Sequence, residues 1–309
     1  MITTVTLNPA VDKTYETARL LLGQVNRMES IKNIAGGKGI NVSKVLRQYD
    51  YEVKALGFMG GYTGRFIEDY AESIGIKCCF TYVQGETRSS INILSQDGYV
   101  TEVLEPGPVI TGGELAEFLE NFDREITDSS LVILSGSAPA GVPVSIYAEL
   151  IERSKKQGKK VLLDSSGQFL KEGVQALPFM IKPNVKELEA LVDKRLKNLE
   201  EIADAAVFLC RKGIEHVLVS MGEKGLLYAG ENKMLYVKAP KVKAVNTVGC
   251  GDSTVAAFAM ACERGYGSEE MLKLCGGISA ANASTLESAV IPKELAAELE
   301  KSIEIKGLI

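Results

Sequence analysis

KKVLLDSSG, residues 159–167, decides the fold. Val161, Leu162 and Leu163 form an apolar run of strand length, and Asp164-Ser165-Ser166-Gly167 stops it with a polar, glycine-bearing turn. The same grammar recurs along the chain. VTL is followed by Asn8, LVIL (131–134) by Ser135-Gly136-Ser137, FMI by Lys182-Pro183-Asn184, and VLV by Ser220-Met221-Gly222. The strand candidates are ITTVTL (2–7), VKALGF (53–58), LVIL, KKVLLD (159–164), FMIK (179–182) and HVLVS (216–220). Helical patterns lie between them. Val42, Val45, Leu46 and Tyr49 occupy i, i+3, i+4 and i+7, and residues 113–122, 145–156, 199–211 and 269–283 read similarly. Alternation of this kind predicts an α/β fold: a doubly wound, mostly parallel sheet with helices on both faces. Loops that follow parallel strands share one edge of the sheet, where ligands bind in such folds. Five polar loops therefore predict one crevice.

One stretch breaks the rhythm. TRSSINILSQDGYVTEVLEPGP (87–108) reads as two strands joined at Asp97-Gly98, a hairpin signal. Residues 76–83 and parts of 12–35 are expected to add strands to it. The prediction is a small antiparallel β lid on a single domain spanning 1–309, with lid segments at about 12–35 and 76–106.

The 309 residues carry a net charge of −5 and no Lys/Arg-rich run, which argues against nucleic-acid binding. Six cysteines at 78, 79, 210, 250, 262 and 275 show no C-x-x-C spacing, so a reduced cytoplasmic setting is expected, without a zinc site. MITTVTLNPAVD carries no basic leader pattern, and no apolar run approaches the roughly 20 residues of a membrane span. The single histidine, His216, sits in a short apolar strand and reads as a packed structural residue. A dinucleotide dehydrogenase is disfavoured, since no G-x-G-x-x-G follows the first strand.

Four constellations could carry chemistry. Gly249-Cys250-Gly251-Asp252 opens a helix whose buried face is Val255, Phe258, Ala259 and Cys262, with a stop at Gly265. Free N–H groups and the dipole at such a helix start attract anions. An aspartate there could take a proton from a hydroxyl that attacks phosphorus, although aspartate is also favoured at helix starts for capping. Ala35-Gly36-Gly37-Lys38-Gly39-Ile40-Asn41 leads into another helix. It lacks the Walker A spacing but offers backbone, a cation and an amide. Asn184 and Glu187 have capping-box spacing and could also sit near a magnesium–phosphate complex through water. Arg88, at the start of the hairpin, could clamp an anionic substrate.

Taken together these stretches resemble the PfkB-type, ribokinase-like sugar kinases, and within them bacterial 1-phosphofructokinases and tagatose-6-phosphate kinases. The resemblance spans TLNPAVDKTY (6–15), AGGKGINVSKVL (35–46), GETRSS (85–90), EPGP (105–108), SGSAPAG (135–141), DSSG (164–167), IKPNVKELE (181–189), VSMGEKG (219–225) and NTVGCGDS (246–253). It implies Asp252 as catalytic base and Gly249, Cys250 and Gly251 as the anion hole, acting through backbone N–H groups. Asp12, Gly37 and Asn41 would serve the sugar, and Lys38, Arg88 and Ser137 its phosphate. Lys182, Asn184, Ser220, Gly222, Gly225 and Asn282 would border ATP. Asn184 and Glu187 would tune Mg2+. It further implies a cytoplasmic homodimer formed through the lid. Thr87-Arg88 followed by Ser89-Ser90-Ile91-Asn92 is similar to tagatose-6-phosphate kinases, whereas Asn246-Thr247-Val248-Gly249 is similar to 1-phosphofructokinases. The expected reaction is ATP-dependent phosphorylation of a ketohexose monophosphate, fructose 1-phosphate first and tagatose 6-phosphate second. Fructose 6-phosphate is third, and a non-catalytic sugar-phosphate or nucleotide sensor on the same fold is the rival.

Overall fold

The computed structural model describes residues 1–308. The first third of the chain contains β1 (Ile2–Thr6), β2 (Ala10–Thr17), β3 (Ser30–Gly36), α1 (Lys38–Gln48), β4 (Val53–Met59), α2 (Gly61–Ser73), β5 (Lys77–Cys78), β6 (Thr81–Tyr82), β7 (Arg88–Ser95) and β8 (Val100–Leu104). The middle holds α3 (Gly112–Glu125), β9 (Leu131–Ser135), α4 (Ile146–Lys156), β10 (Lys160–Asp164), α5 (Gly167–Gln175), β11 (Met180–Ile181), α6 (Val185–Val192) and α7 (Leu199–Arg211). The last third holds β12 (His216–Ser220), β13 (Leu226–Gly230), β14 (Lys233–Val237), α8 (Cys250–Arg264), α9 (Ser268–Ala283), α10 (Lys293–Ser302) and β15 (Ile305–Gly307).

The main sheet has the order β15-β14-β13-β12-β11-β10-β9-β1-β4-β5, with β6 also on β4. From β12 to β5 every pairing is parallel, and β13, β14 and β15 extend one edge antiparallel. Side chains along a strand alternate faces. In β9, Leu131 and Ile133 join the core under α1, α8 and α9, while Val132 and Leu134 join the core under α3, α4 and α7. Both faces are thus covered, as the continuous apolar strands require.

β2, β3, β7 and β8 form a separate sheet in the order β3-β2-β7-β8. The outer pairs are antiparallel and the central β2–β7 pair is parallel. The hairpin turn falls at Asp97-Gly98, as predicted, where Gly98 N–H donates to the Ser95 carbonyl. Residues 76–83 correct the expectation that they feed this sheet. Their two short strands pair with β4 of the main sheet, because β4 is an open parallel edge within reach of the chain leaving α2. The run 179–182 also forms less strand than expected, since β11 keeps only two residues and Lys182 lies just beyond it.

Candidate active site

The crevice lies at the carboxyl edge of the main sheet. Five buried side-chain oxygens have no hydrogen-bond partner among the described residues: Thr6 Oγ1, Asn8 Oδ1, Asn41 Oδ1, Ser135 Oγ and Asp164 Oδ2. Buried polar atoms are ordinarily paired. Four of these end or follow β1, β9 and β10, and the fifth is on α1, so unpaired polar atoms collect along the carboxyl edge of the main sheet.

Asp252 occupies the first turn of α8 and is 6% exposed. Asn41 Nδ2 donates to its Oδ2 at 2.9 Å. Gly249 precedes the helix with φ 84°, in the left-handed region that lets the chain turn sharply into α8. A Cβ at Gly251 would stand 3.1 Å from Lys182 Nζ, so the lysine lies over the bare helix start. Lys182 Nζ and Lys38 Nζ approach Asp164 Oδ1 at 3.3 and 3.2 Å. Two ammonium groups and the start of α8 thus flank a small space that favours an anion.

The charges are tuned accordingly. Burial pushes Asp252 up to about 6, the Asp164 charge adds to it, and Lys38, Asn41 and Lys182 oppose. Burial would raise Asp164 as well, but Lys182 and Lys38 outweigh it and hold this carboxyl below its usual range. Lys38 is raised: burial disfavours its charge, and Asp164 and Asp252 more than compensate. The arrangement keeps a carboxylate available near neutral pH beside fixed positive charge, which suits proton acceptance during transfer of an anionic group.

On the other side of α1, the side chain of Asp12 packs where Gly36 leaves room; a Cβ there would meet its Oδ2 at 2.0 Å. Burial pushes Asp12 up to about 6, opposed by Lys44 and Arg88. Gly37 caps α1 with φ 107° beneath Pro9. Arg88 opens β7 in register with Ala10 and donates to the carbonyls of Asn8 and Glu105, both at 3.4 Å. Ser137 lies exposed in the loop after β9. Towards α6, the predicted capping box is present. Asn184 Oδ1 accepts from Glu187 N–H at 2.9 Å and Glu187 Oε2 accepts from Asn184 N–H at 2.8 Å. Asn184 also bridges to Ser220, which brings Gly222 alongside.

Two residues expected beside the nucleotide have structural partners of their own. Asn282 is wholly buried and its polar atoms are spent: Nδ2 donates to Val248 O at 2.9 Å, and Oδ1 accepts from Ala289 N–H at 2.8 Å. It braces the turn that opens α8. Gly225 is buried against the Val237 carbonyl, where a Cβ would stand at 2.0 Å, so close packing requires glycine there. The Cys250 thiol is pushed up by burial and accepts a hydrogen bond from Asn282, so it is no activated nucleophile.

Sequence reasoning gave no role to Asp164, Thr6 or Lys44. Asp164 was visible as a carboxylate ending an apolar strand. Lys44 had a weaker signal, a polar residue at helical spacing from Lys38 and Asn41. A cavity of about 1250 Å³ lies elsewhere, at the amino ends of β10 and β12 around Lys160 and His216. There His216 Nδ1 and the Tyr228 hydroxyl share a 2.7 Å hydrogen bond and the ring packs on Phe179 and Phe258, as expected of a structural histidine.

A mostly parallel sheet with a helix start and a buried carboxylate at its carboxyl edge suits phosphoryl transfer, and the likeness to known proteins makes the chain an ATP-dependent sugar kinase of ribokinase-like fold. The chain belongs to the pfkB family of carbohydrate kinases, whose family model matches residues 5–293. It is 37% identical to tagatose-6-phosphate kinase of Staphylococcus epidermidis over 308 residues, covering 99% of each chain. It is 34% identical to 1-phosphofructokinase of Bacillus subtilis over 308 residues, covering all of both. Phosphofructokinase-2 of Escherichia coli, solved in complex with potassium, superposes with a TM-score of 0.92 at 26% identity, over 97% of this chain and 98% of that one. The family makes the enzyme a carbohydrate kinase, and these relatives are named as kinases of phosphosugars.

Proposed function

We propose that the enzyme phosphorylates the free terminal hydroxyl of a ketohexose monophosphate, with fructose 1-phosphate converted to fructose 1,6-bisphosphate as the first choice. The observation that carries this reading is Asp252, buried at the start of α8, held by Asn41 and flanked by Lys38 and Lys182. Asp252 takes the hydroxyl proton as that oxygen attacks the terminal phosphorus of ATP. The bond to the bridging oxygen breaks and ADP leaves. The N–H groups of residues 249–251 and Lys182 steady the charge on the moving group. Asp12, Gly37 and Asn41 hold sugar hydroxyls, while Lys38, Arg88 and Ser137 receive the substrate phosphate. Ser220 and Gly222 border the nucleotide.

Magnesium fits the α6 start. The oxygens of Asn184 and Glu187 are hard donors, and the capping box leaves Glu187 Oε1 free to orient water. When bound, the ion neutralises phosphate charge.

The small sheet serves as a lid. β3 runs into α1 through Gly36-Gly37, so movement of the sheet bears directly on Lys38 and Asn41. Closure would exclude water and align donor with acceptor. Ile31, Tyr99, Val100, Val103 and Leu104 are exposed on this sheet, which supports a homodimer through it. Light scattering should then give twice the 33.3 kDa chain mass; a monomer at micromolar concentration would remove the dimer. A cytoplasmic setting accords with six free cysteines and no helix long and apolar enough to cross a membrane among the described residues.

Tagatose 6-phosphate is the second reading, favoured by the 37% relative and by Ser89-Ser90-Ile91-Asn92 after Arg88. ADP release across fructose and tagatose monophosphates, with kcat/KM for each, tests the proposal. Highest kcat/KM on fructose 1-phosphate is expected. No turnover on any ketohexose monophosphate would overturn it.

A further inference from the structure

Glu105-Pro106-Gly107-Pro108 follows β8 and carries the chain out of the small sheet. β7 and β8 pair antiparallel with Ser90 opposite Leu104, so Ser89 stands opposite Glu105. Opposed residues in such a ladder alternate between pairs that exchange both N–H···O bonds and pairs that exchange none. Near the hairpin turn Ser95 N–H donates to the Tyr99 carbonyl at 2.9 Å, which sets the alternation and makes Ser89–Glu105 a bonded position. Half of that exchange is present: Glu105 N–H donates to the Ser89 carbonyl at 3.2 Å. The other half is replaced, because Ser89 N–H turns to the Glu105 carboxylate, Oε2, at 2.6 Å. The Glu105 carbonyl is left over, and Arg88 Nη1 donates to it at 3.4 Å. Arg88 Nε donates to the Asn8 carbonyl, also at 3.4 Å. Asn8 in turn holds the segment: its Nδ2 donates to the Pro106 carbonyl at 3.3 Å, and a Cβ at Gly107 would stand 2.4 Å from its Oδ1. Pro106 has no N–H, so the ladder ends at Glu105. Among the described residues Arg88 Nη2 has no acceptor.

We propose that Glu105 is a positioning residue for phosphosugar binding: its carboxylate takes the ladder bond that its own carbonyl would otherwise accept, and the freed carbonyl aims the Arg88 guanidinium. The inference rests on the reading that Arg88 receives the substrate phosphate. An ionised acceptor makes the shorter and stronger bond to Ser89 N–H, which keeps the replacement in place. The two carbonyls that hold Arg88 belong to different sheets, Asn8 following β1 of the main sheet and Glu105 following β8 of the small one. Both bonds are long, so the guanidinium is directed without being spent, and Nη2 is left for a phosphate oxygen. Glu105 is exposed and acts on the substrate only through Arg88. Its negative charge works against phosphate binding, so the sign of the mutational effect decides between aiming and repulsion.

The test is steady-state kinetics of the wild type, Glu105→Ala, Glu105→Gln, Arg88→Ala and the double variant Glu105→Ala/Arg88→Ala, with whichever ketohexose monophosphate the wild type turns over. Glu105→Ala should raise KM for the phosphosugar about five- to tenfold, with kcat and KM for ATP within about twofold of wild type. Glu105→Gln should bring KM back to within about twofold, because its amide oxygen can accept the Ser89 N–H. In the Arg88→Ala background Glu105→Ala should add less than about twofold, since no guanidinium is left to aim. An unchanged or lower KM in Glu105→Ala overturns the inference. So does an equal rise in both backgrounds, which a merely structural role would give. Should Glu105→Ala not fold, Glu105→Asp, one methylene short of the Ser89 N–H, takes its place in both backgrounds with the same expectations. An unchanged KM in Arg88→Ala would overturn the Arg88 reading and the inference with it, whereas a raised KM there beside a silent Glu105→Ala overturns the inference alone.

Discussion

At the scale of single residues, the proposed function divides the work between Asp252 for chemistry and Arg88 for recognition. Asp252→Asn keeps the shape of the α8 start and its N–H groups but cannot accept the proton. It should bind ATP normally and lose about 10²–10⁴-fold in kcat; near-normal turnover would show that another group is the base. Because Asp252 is raised to about 6, wild-type activity should climb with pH through that value and level off above it, falling to roughly one-tenth of the plateau at pH 5. Among the described residues Arg88 donates only to backbone carbonyls at long range, so its guanidinium can turn to a phosphate. Arg88→Ala should raise KM for the phosphosugar roughly 10–100-fold and leave KM for ATP nearly unchanged. Equal effects on both substrates would take Arg88 out of the sugar-phosphate site.

At the scale of elements, the start of α8 depends on a neighbouring helix. Asn282, on α9, ties Val248 and Ala289 to one side chain and receives Ser253 as well. Asn282→Ala should cost about 1–3 kcal/mol of stability along with kcat, by calorimetry and steady-state kinetics; a variant of wild-type Tm with only a higher KM for ATP would return it to the nucleotide site. This residue shows where sequence reading stops. A polar side chain late in a helix gives no clue whether it faces a ligand or a neighbouring turn, because that depends on packing between α8 and α9. The strands β1, β4, β9, β10 and β12 were legible, since burial on both faces forces continuous apolar runs. The Asp97-Gly98 hairpin was legible because its turn needs those residue types. α2 was not, with Gly61 and Gly64 in its first turn weakening the helical signal. β5 and β6 were not, because two-residue strands take their identity from the edge of β4 rather than from their own sequence.

At the scale of the molecule, the cleft is maintained against the stability of the fold. In the folded protein Asp252 holds its proton up to about pH 6, whereas an unfolded aspartate loses it near 3.8. Between these values the folded state binds more protons, so stability falls as pH rises through the window. The cost is on the order of 2–3 kcal/mol above pH 6. Asp252→Asn should therefore unfold at a higher Tm than wild type at pH 8, and the difference should vanish near pH 4. A lower Tm for the variant at pH 8 would mean that the buried carboxylate is well compensated. Sites of this kind commonly trade stability for activity.

The proposed chemistry requires the terminal phosphate of ATP to come to rest at the start of α8. A crystal structure of the enzyme with a non-hydrolysable ATP analogue and a ketohexose monophosphate measures that directly. The terminal phosphorus should sit against the N–H groups at the start of α8, with the acceptor hydroxyl within hydrogen-bond reach of Asp252. A terminal phosphate bound away from residues 249–252, or an acceptor hydroxyl turned from Asp252, would contradict the account.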